Sequence, residues 1–148
     1  MSHTGSCLCG NIRFALQELP PNAYQCFCSL CRRTSGAYSN SATLVHQHAF
    51  TWTSGQGHIR SWSSTAGYRM DFCNACGGTV PKQLRQEPLM WVPLGTLDAL
   101  DVPVRISHQI YVADAVAPVA TAPSIQQFDT TPGLTALIEG IMGPANTR

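Results

Sequence analysis

Seven cysteines fall into three tight groups, Cys7-x-Cys9, Cys26-x-Cys28-x-x-Cys31 and Cys73-x-x-Cys76, and none stands alone. That clustering limits the chain more than any other feature. Core cysteines behave as small hydrophobes and do not come at ligand spacing. A disulfide framework would leave one thiol over from an odd count, whereas metal ligation has no need of even numbers. In an extended strand residues i and i+2 point to the same side, so Cys7 and Cys9 can reach one ion together. Cys73-x-x-Cys76-Gly77 has the form of a knuckle: the two-residue spacer curls round a metal and the glycine accepts a positive φ. The two pairs together make a closed four-thiolate site. Cys26, Cys28 and Cys31 then offer three ligands to a second ion and leave its fourth position for water or a substrate, which is what distinguishes catalytic from structural zinc. Two zinc ions per chain are expected. An incoming thiol suits the open position and would lose its proton on binding.

The remaining composition narrows the partners. The chain has 148 residues and is expected to form a single zinc-binding domain over 1–148, with a core over about 5–118 and a C-terminal extension over about 119–148. Net charge is +1, and Arg32-Arg33 is the nearest approach to a basic patch, so no nucleic acid is expected as a partner. Those two arginines follow Cys31 directly, where they can offset a thiolate-rich site or grip a substrate carboxylate. Only 11% of residues are charged, so little repulsion opposes a homo-oligomer. No apolar run approaches the length of a membrane span, and the first six residues lack a signal-peptide pattern. With clustered thiols, this points to a reducing, cytoplasmic setting.

Short alternating segments separated by Gly, Pro and Ser predict a mainly β chain. Strands are expected over Asn11–Leu16, from Tyr24 to Cys26, and over Ala42–Val45, Phe50–Trp52, His58–Trp62, Tyr68–Phe72, Leu89–Leu94 and Arg105–Val112. Helix signals are confined to a turn after Cys28, a short piece near Leu97–Leu100, and Leu134–Met142, limited by Gly140, Gly143 and Pro144. Ala113–Pro123 reads as an ordered surface crossing or an oligomer contact. The five histidines have no ligand spacing, the tryptophans read as core or interface aromatics, and Asp71 reads as a solvated strand residue.

Two other readings of the cysteines stay open. Cys28-x-x-Cys31 has redox spacing, although that motif belongs between a strand and a helix of a βαβ unit and the surroundings here read as hairpins. Alternatively both clusters are structural, and the domain is a non-enzymatic binding module.

The stretches Gly5–Phe14, Cys26–Gly36, Phe50–Gly55, Phe72–Gly77 and Leu94–Asp98, in that order and spacing, resemble the glutathione-dependent formaldehyde-activating enzymes, or S-(hydroxymethyl)glutathione synthase-like proteins, which share a domain with a centromere protein. The resemblance runs from about residue 5 to about residue 118. It implies a β-tent fold of small antiparallel sheets around zinc, with few short helices. It also implies structural zinc at Cys7, Cys9, Cys73 and Cys76, and a labile catalytic zinc at Cys26, Cys28 and Cys31. The implied activity is that of a carbon–sulfur lyase joining glutathione to formaldehyde, so a small thiol and an aldehyde are the expected partners. Phe27 and Gln109 stand where relatives usually carry His, and Ala115 and Val119 fall near a customary Lys and Trp. These departures imply a different thiol or a different electrophile.

Overall fold

The computed structural model describes residues 2–143, which fold into two compact units. Eleven strands occur among the described residues: β1 (His3–Ser6), β2 (Arg13–Leu16), β3 (Asn22–Cys26), β4 (Asn40–His46), β5 (Phe50–Ser54), β6 (Ile59–Ser63), β7 (Arg69–Cys73), β8 (Lys82–Gln83), β9 (Leu89–Pro93), β10 (Arg105–Ile110) and β11 (Gln126–Gln127). Two α-helices, α1 (Ser29–Ser35) and α2 (Leu134–Met142), join them. The chain is mainly β, built from small sheets, as its alternating segments predict.

Among the described residues the first unit comprises 2–19 and 45–101. Its strands β1, β2 and β5 pair antiparallel in that order, and β6–β7 and β8–β9 form two further antiparallel pairs. The alternation of β2 places Phe14 and Leu16 inward, where they pack with Val45, Met90 and Val92. Phe50 stacks on Phe14 at 5.4 Å, and Trp52 meets it edge-on at 6.1 Å. Of the two roles expected for the tryptophans, core or interface, Trp62 does not take the first: it stands 52% exposed on β6. No helix forms over 97–100. A 3-10 turn occupies Leu94–Thr96 instead, and the residues after it are tied to β1 by a Gly5–Leu97 bridge and by Asp98 N–H donating to the Thr4 carbonyl. Asp71 is not solvated: it is 4% exposed, accepts two bonds from Arg69 at 2.7 and 2.6 Å, and accepts a third from the Ser61 hydroxyl. A carboxylate can be buried at that depth because a guanidinium fork and a hydroxyl satisfy it.

Among the described residues the second unit comprises 20–44 and 102–143. Here β3 pairs antiparallel with β4, while β10 runs parallel to both β3 and β11. These are departures from purely antiparallel pairing, and β3–β10 joins segments far apart in the sequence. β10 stops at Ile110 rather than Val112, because Tyr111 takes a left-handed φ of 56° and a 3-10 turn follows at Val112–Asp114. Helix α2 packs on β3 and β10 and runs through Gly140 to a cap at Gly143, and Pro144 lies outside the described residues. The glycine has a packing reason: a Cβ there would stand 2.5 Å from both Cε1 and Nε2 of the buried His108 ring.

That contact reverses the usual helix preference. Alanine is better than glycine inside a helix by about 1 kcal/mol. Even so, Gly140→Ala is expected to destabilise the protein by about 1–3 kcal/mol through overpacking, with Thr135→Ala on the exposed face near neutral. Urea unfolding measures both. A stabilised Gly140→Ala variant would contradict the packing of α2 on His108.

Candidate metal centres

The first unit brings Cys7, Cys9, Cys73 and Cys76 together, with all four Sγ atoms within 4.8 Å of one another. Cys7 and Cys9 lie in the turn after β1 rather than in an extended strand, so their convergence comes from chain reversal and not from i, i+2 alternation. Gly10, at φ 78°, closes that turn by donating its N–H to the Cys7 carbonyl, and Ile12 N–H points at Cys7 Sγ over 3.4 Å. The second pair repeats the device at the end of β7. Ala75 N–H points at Cys73 Sγ and Gly78 N–H at Cys76 Sγ, each over 3.4 Å, while Gly77 sits at φ 72°. Ile12 and Val80, both fully buried, pack with Cys7 and Cys73.

The sulfur spacing tests the fit to an ion. Cys7–Cys9 is 3.7 Å and Cys9–Cys73 is 3.9 Å, far beyond a disulfide bond. Four sulfurs at a Zn–S distance near 2.3 Å form a tetrahedron with edges of about 3.8 Å. The separations match that edge. Without an ion the thiols divide the charge unequally. The Gly78 amide leads in pulling Cys76 down to about 6. Cys9 rises to about 11: the Asn11 amide pulls it down, but lost hydration and its bonds to Cys7, Cys76 and Cys73 keep it protonated. Four neighbouring thiols cannot all ionise alone, and a dication supplies the charge that the remaining protons otherwise carry.

The second unit gathers Cys26, Cys28 and Cys31, again with all Sγ atoms within 4.8 Å. Cys26 ends β3 and is buried, Cys28 caps α1, and Cys31 lies in its first turn. Hairpin surroundings therefore do not describe this motif, because Cys28-x-x-Cys31 does sit at a strand-to-helix junction. It is not a βαβ unit, since β3 and β4 are antiparallel. Cys28 Sγ accepts the Cys31 N–H at 3.4 Å. The thiols of Cys26 and Cys31, followed by the Cys31 and Leu30 amides, draw the Cys28 thiol down to about 2. Cys26 is driven up because it supplies the proton to Cys28, and burial adds to that. No carboxylate or imidazole joins either group among the described residues, so the sets contain four thiols and three.

The other expected site residues are Arg32 and Arg33. They line a recess with Gly36, Ala37, Tyr38 and Val116, and Arg32 Nε donates to the Phe27 carbonyl at 3.2 Å. The histidines take no part in either cluster: His58 bonds Asn74, His46 stacks on His48, and His108 is buried under α2. Sequence spacing did not reveal a glutamine ladder, Gln25–Gln109–Gln127, which crosses three strands that only the parallel pairing brings together.

Residues 2–114 match the model of the family described as glutathione-dependent formaldehyde-activating enzyme. A crystal structure of a Rhodobacter sphaeroides protein superposes with a TM-score of 0.54 at 23% identity, covering 68% of this chain and 97% of that one, a likeness of fold. None of the curated proteins matches significantly.

The depressed Cys28 thiol has a consequence in protein whose triplet has been freed of metal. A thiol far below its usual range is already thiolate, so iodoacetamide should alkylate Cys28 at a nearly constant rate from pH 8 down to pH 5. An ordinary thiol slows about tenfold per pH unit below its pKa. Peptide mapping reads the site. A tenfold-per-unit fall at Cys28 would contradict the hydrogen-bond arrangement around it.

Proposed function

Because the chain belongs to the glutathione-dependent formaldehyde-activating enzyme family, we propose that it is a zinc-dependent enzyme of carbon–sulfur bond chemistry, joining a thiol such as glutathione to a small aldehyde such as formaldehyde. What carries the reading is the difference in ligand number: four thiols converge in one unit and three in the other. Four thiolates complete a tetrahedral ion, and three leave a position open. We assign Cys7, Cys9, Cys73 and Cys76 to a structural zinc and Cys26, Cys28 and Cys31 to a catalytic one.

Zinc bound to the triplet would supply Lewis acidity that makes a thiolate available at neutral pH. The chain's own residues provide the rest. Cys28, anchored by the Cys31 amide, stays deprotonated and ready to ligate. Arg32 is braced against the Phe27 carbonyl, and with Arg33 it offers positive charge to the carboxylates of a thiol such as glutathione. The reaction balances simply. The sulfur forms a bond to the carbonyl carbon, the C=O π bond breaks, and the thiol proton ends on the carbonyl oxygen. The reverse releases both partners.

One observation favours a second reading. The strand-to-helix position of Cys28-x-x-Cys31 and the depressed Cys28 thiol are also features of thiol redox proteins. That reading requires a metal-free triplet and an oxidant.

Cys28→Ser tests the first. In zinc-loaded protein given glutathione and formaldehyde, the rate above the spontaneous addition should fall at least about a hundredfold, since even partners of metal ligands cost 10–100-fold. The unfolding temperature of the four-thiol unit should hold. Full retained activity would sink the enzyme reading.

A further inference from the structure

On the second unit, a cavity of about 250 Å³ lies between the β3–β10 surface and the segment 115–120. Strand alternation sends Gln25 to the face opposite Cys26, and no cysteine lines this space. Its walls are Phe27 and the small apolar side chains of Ala115–Ala120, Tyr38 and Ser39 add hydroxyl groups, and Gln25 and Gln109 supply the amides. No charged residue lines it. Arg32 and Arg33 belong to a neighbouring recess that shares only Tyr38 and Val116 with it.

The glutamine ladder decides what such a cavity can recognise. A main-chain carbonyl can only accept, so the Ala120 carbonyl, 3.0 Å from Gln109, must face Gln109 Nε2. The second hydrogen of that nitrogen goes to Gln25 Oε1, also at 3.0 Å. Gln109 Oε1 then takes the Gln127 Nε2 donor at 2.8 Å. Gln109 is satisfied and buried. One backbone carbonyl thus fixes the polarity of the whole ladder. Gln25, a half-buried residue, has its oxygen committed, while its NH2 group donates to none of the described residues. Among the described residues no buried side-chain nitrogen or oxygen lacks a partner, so this NH2 group faces water that a ligand acceptor in the cavity can replace.

We propose that this cavity binds an uncharged small molecule that has an apolar body and a carbonyl oxygen, with the Gln25 amide donating to that oxygen. Size sets the body: an apolar cavity of about 150 Å³ holds benzene, so a ring with a carbonyl substituent fits. Charge sets the head group. A carboxylate would be desolvated with no cation beside it, and an ammonium would bring donors to a donor. Aromatic or branched amides, ketones and aldehydes meet both conditions. The site is independent of the metal assignment, so an amide probe, inert toward thiols, tests it without the triplet.

The test titrates the full-length, zinc-loaded, 15N-labelled chain with benzamide, benzoate and benzylammonium, three compounds of similar size. Side-chain amide shifts of Gln25 and Gln109 report on each, and those of Gln109 alone report in the Gln25 variants. Benzamide should move them and bind at least about tenfold tighter than either ion. Gln25→Leu should weaken benzamide by a similar factor. Gln25→Glu keeps an acceptor for Gln109 and turns a second oxygen toward the cavity, so it should invert the order in favour of benzylammonium. The proposal is overturned if benzamide leaves Gln25 unmoved at millimolar concentration, if benzoate binds as tightly, or if Gln25→Glu still prefers benzamide.

Discussion

Sulfur atoms that share negative charge repel at 3.7 Å, yet Cys7 and Cys9 hold that separation, and Cys73 adds a third sulfur 3.9 Å from Cys9. Cys9 and Cys73 are 64 residues apart. Bringing such ends together costs about 4 kcal/mol on loop-closure scaling, before the repulsion between thiolates is counted. A bound dication would reverse that balance, because structural zinc sites contribute on the order of 10–16 kcal/mol. The first unit is arranged around this convergence. Two knuckle turns present N–H groups to the sulfurs, and the fully buried Ile12 and Val80 close over Cys7 and Cys73.

The triplet uses the same elements to another end. Cys26 and Cys28 are fixed by the end of β3 and the start of α1, Cys31 is one helical turn on, and no fourth ligand joins them among the described residues. Rigid secondary structure therefore holds three sulfurs in place where four would close the site. The adjoining Phe27 turns from this chemistry to the cavity on the other face, so one five-residue stretch, Gln25 to Ser29, serves both.

Much of this was legible from residue order. The three cysteine groups are legible before any fold is known, because ligand spacing within a group is local, whereas the meeting of Cys7 and Cys9 with Cys73 and Cys76 is a tertiary contact across 64 residues. The alternation of β2, β5, β6 and β7 is local too, and those strands lie within a residue or two of where hydrophobic periodicity puts them. What escaped was tertiary. The parallel β3–β10 pairing, the burial of Asp71 beneath Arg69 and the Gln25–Gln109–Gln127 ladder depend on partners that no short window contains. Cys7 and Cys9 lie in a turn and not in the extended strand that their i, i+2 spacing suggests, because Gly10 reverses the chain there.

The central claim is that one metal site is closed and the other open. Elemental analysis of zinc per chain, before and after a mild chelator and with or without glutathione, tests it most directly. The account predicts nearly two ions, one of which the chelator removes and glutathione perturbs, while the other resists both. A single ion indifferent to glutathione, or two that resist the chelator equally, would contradict it.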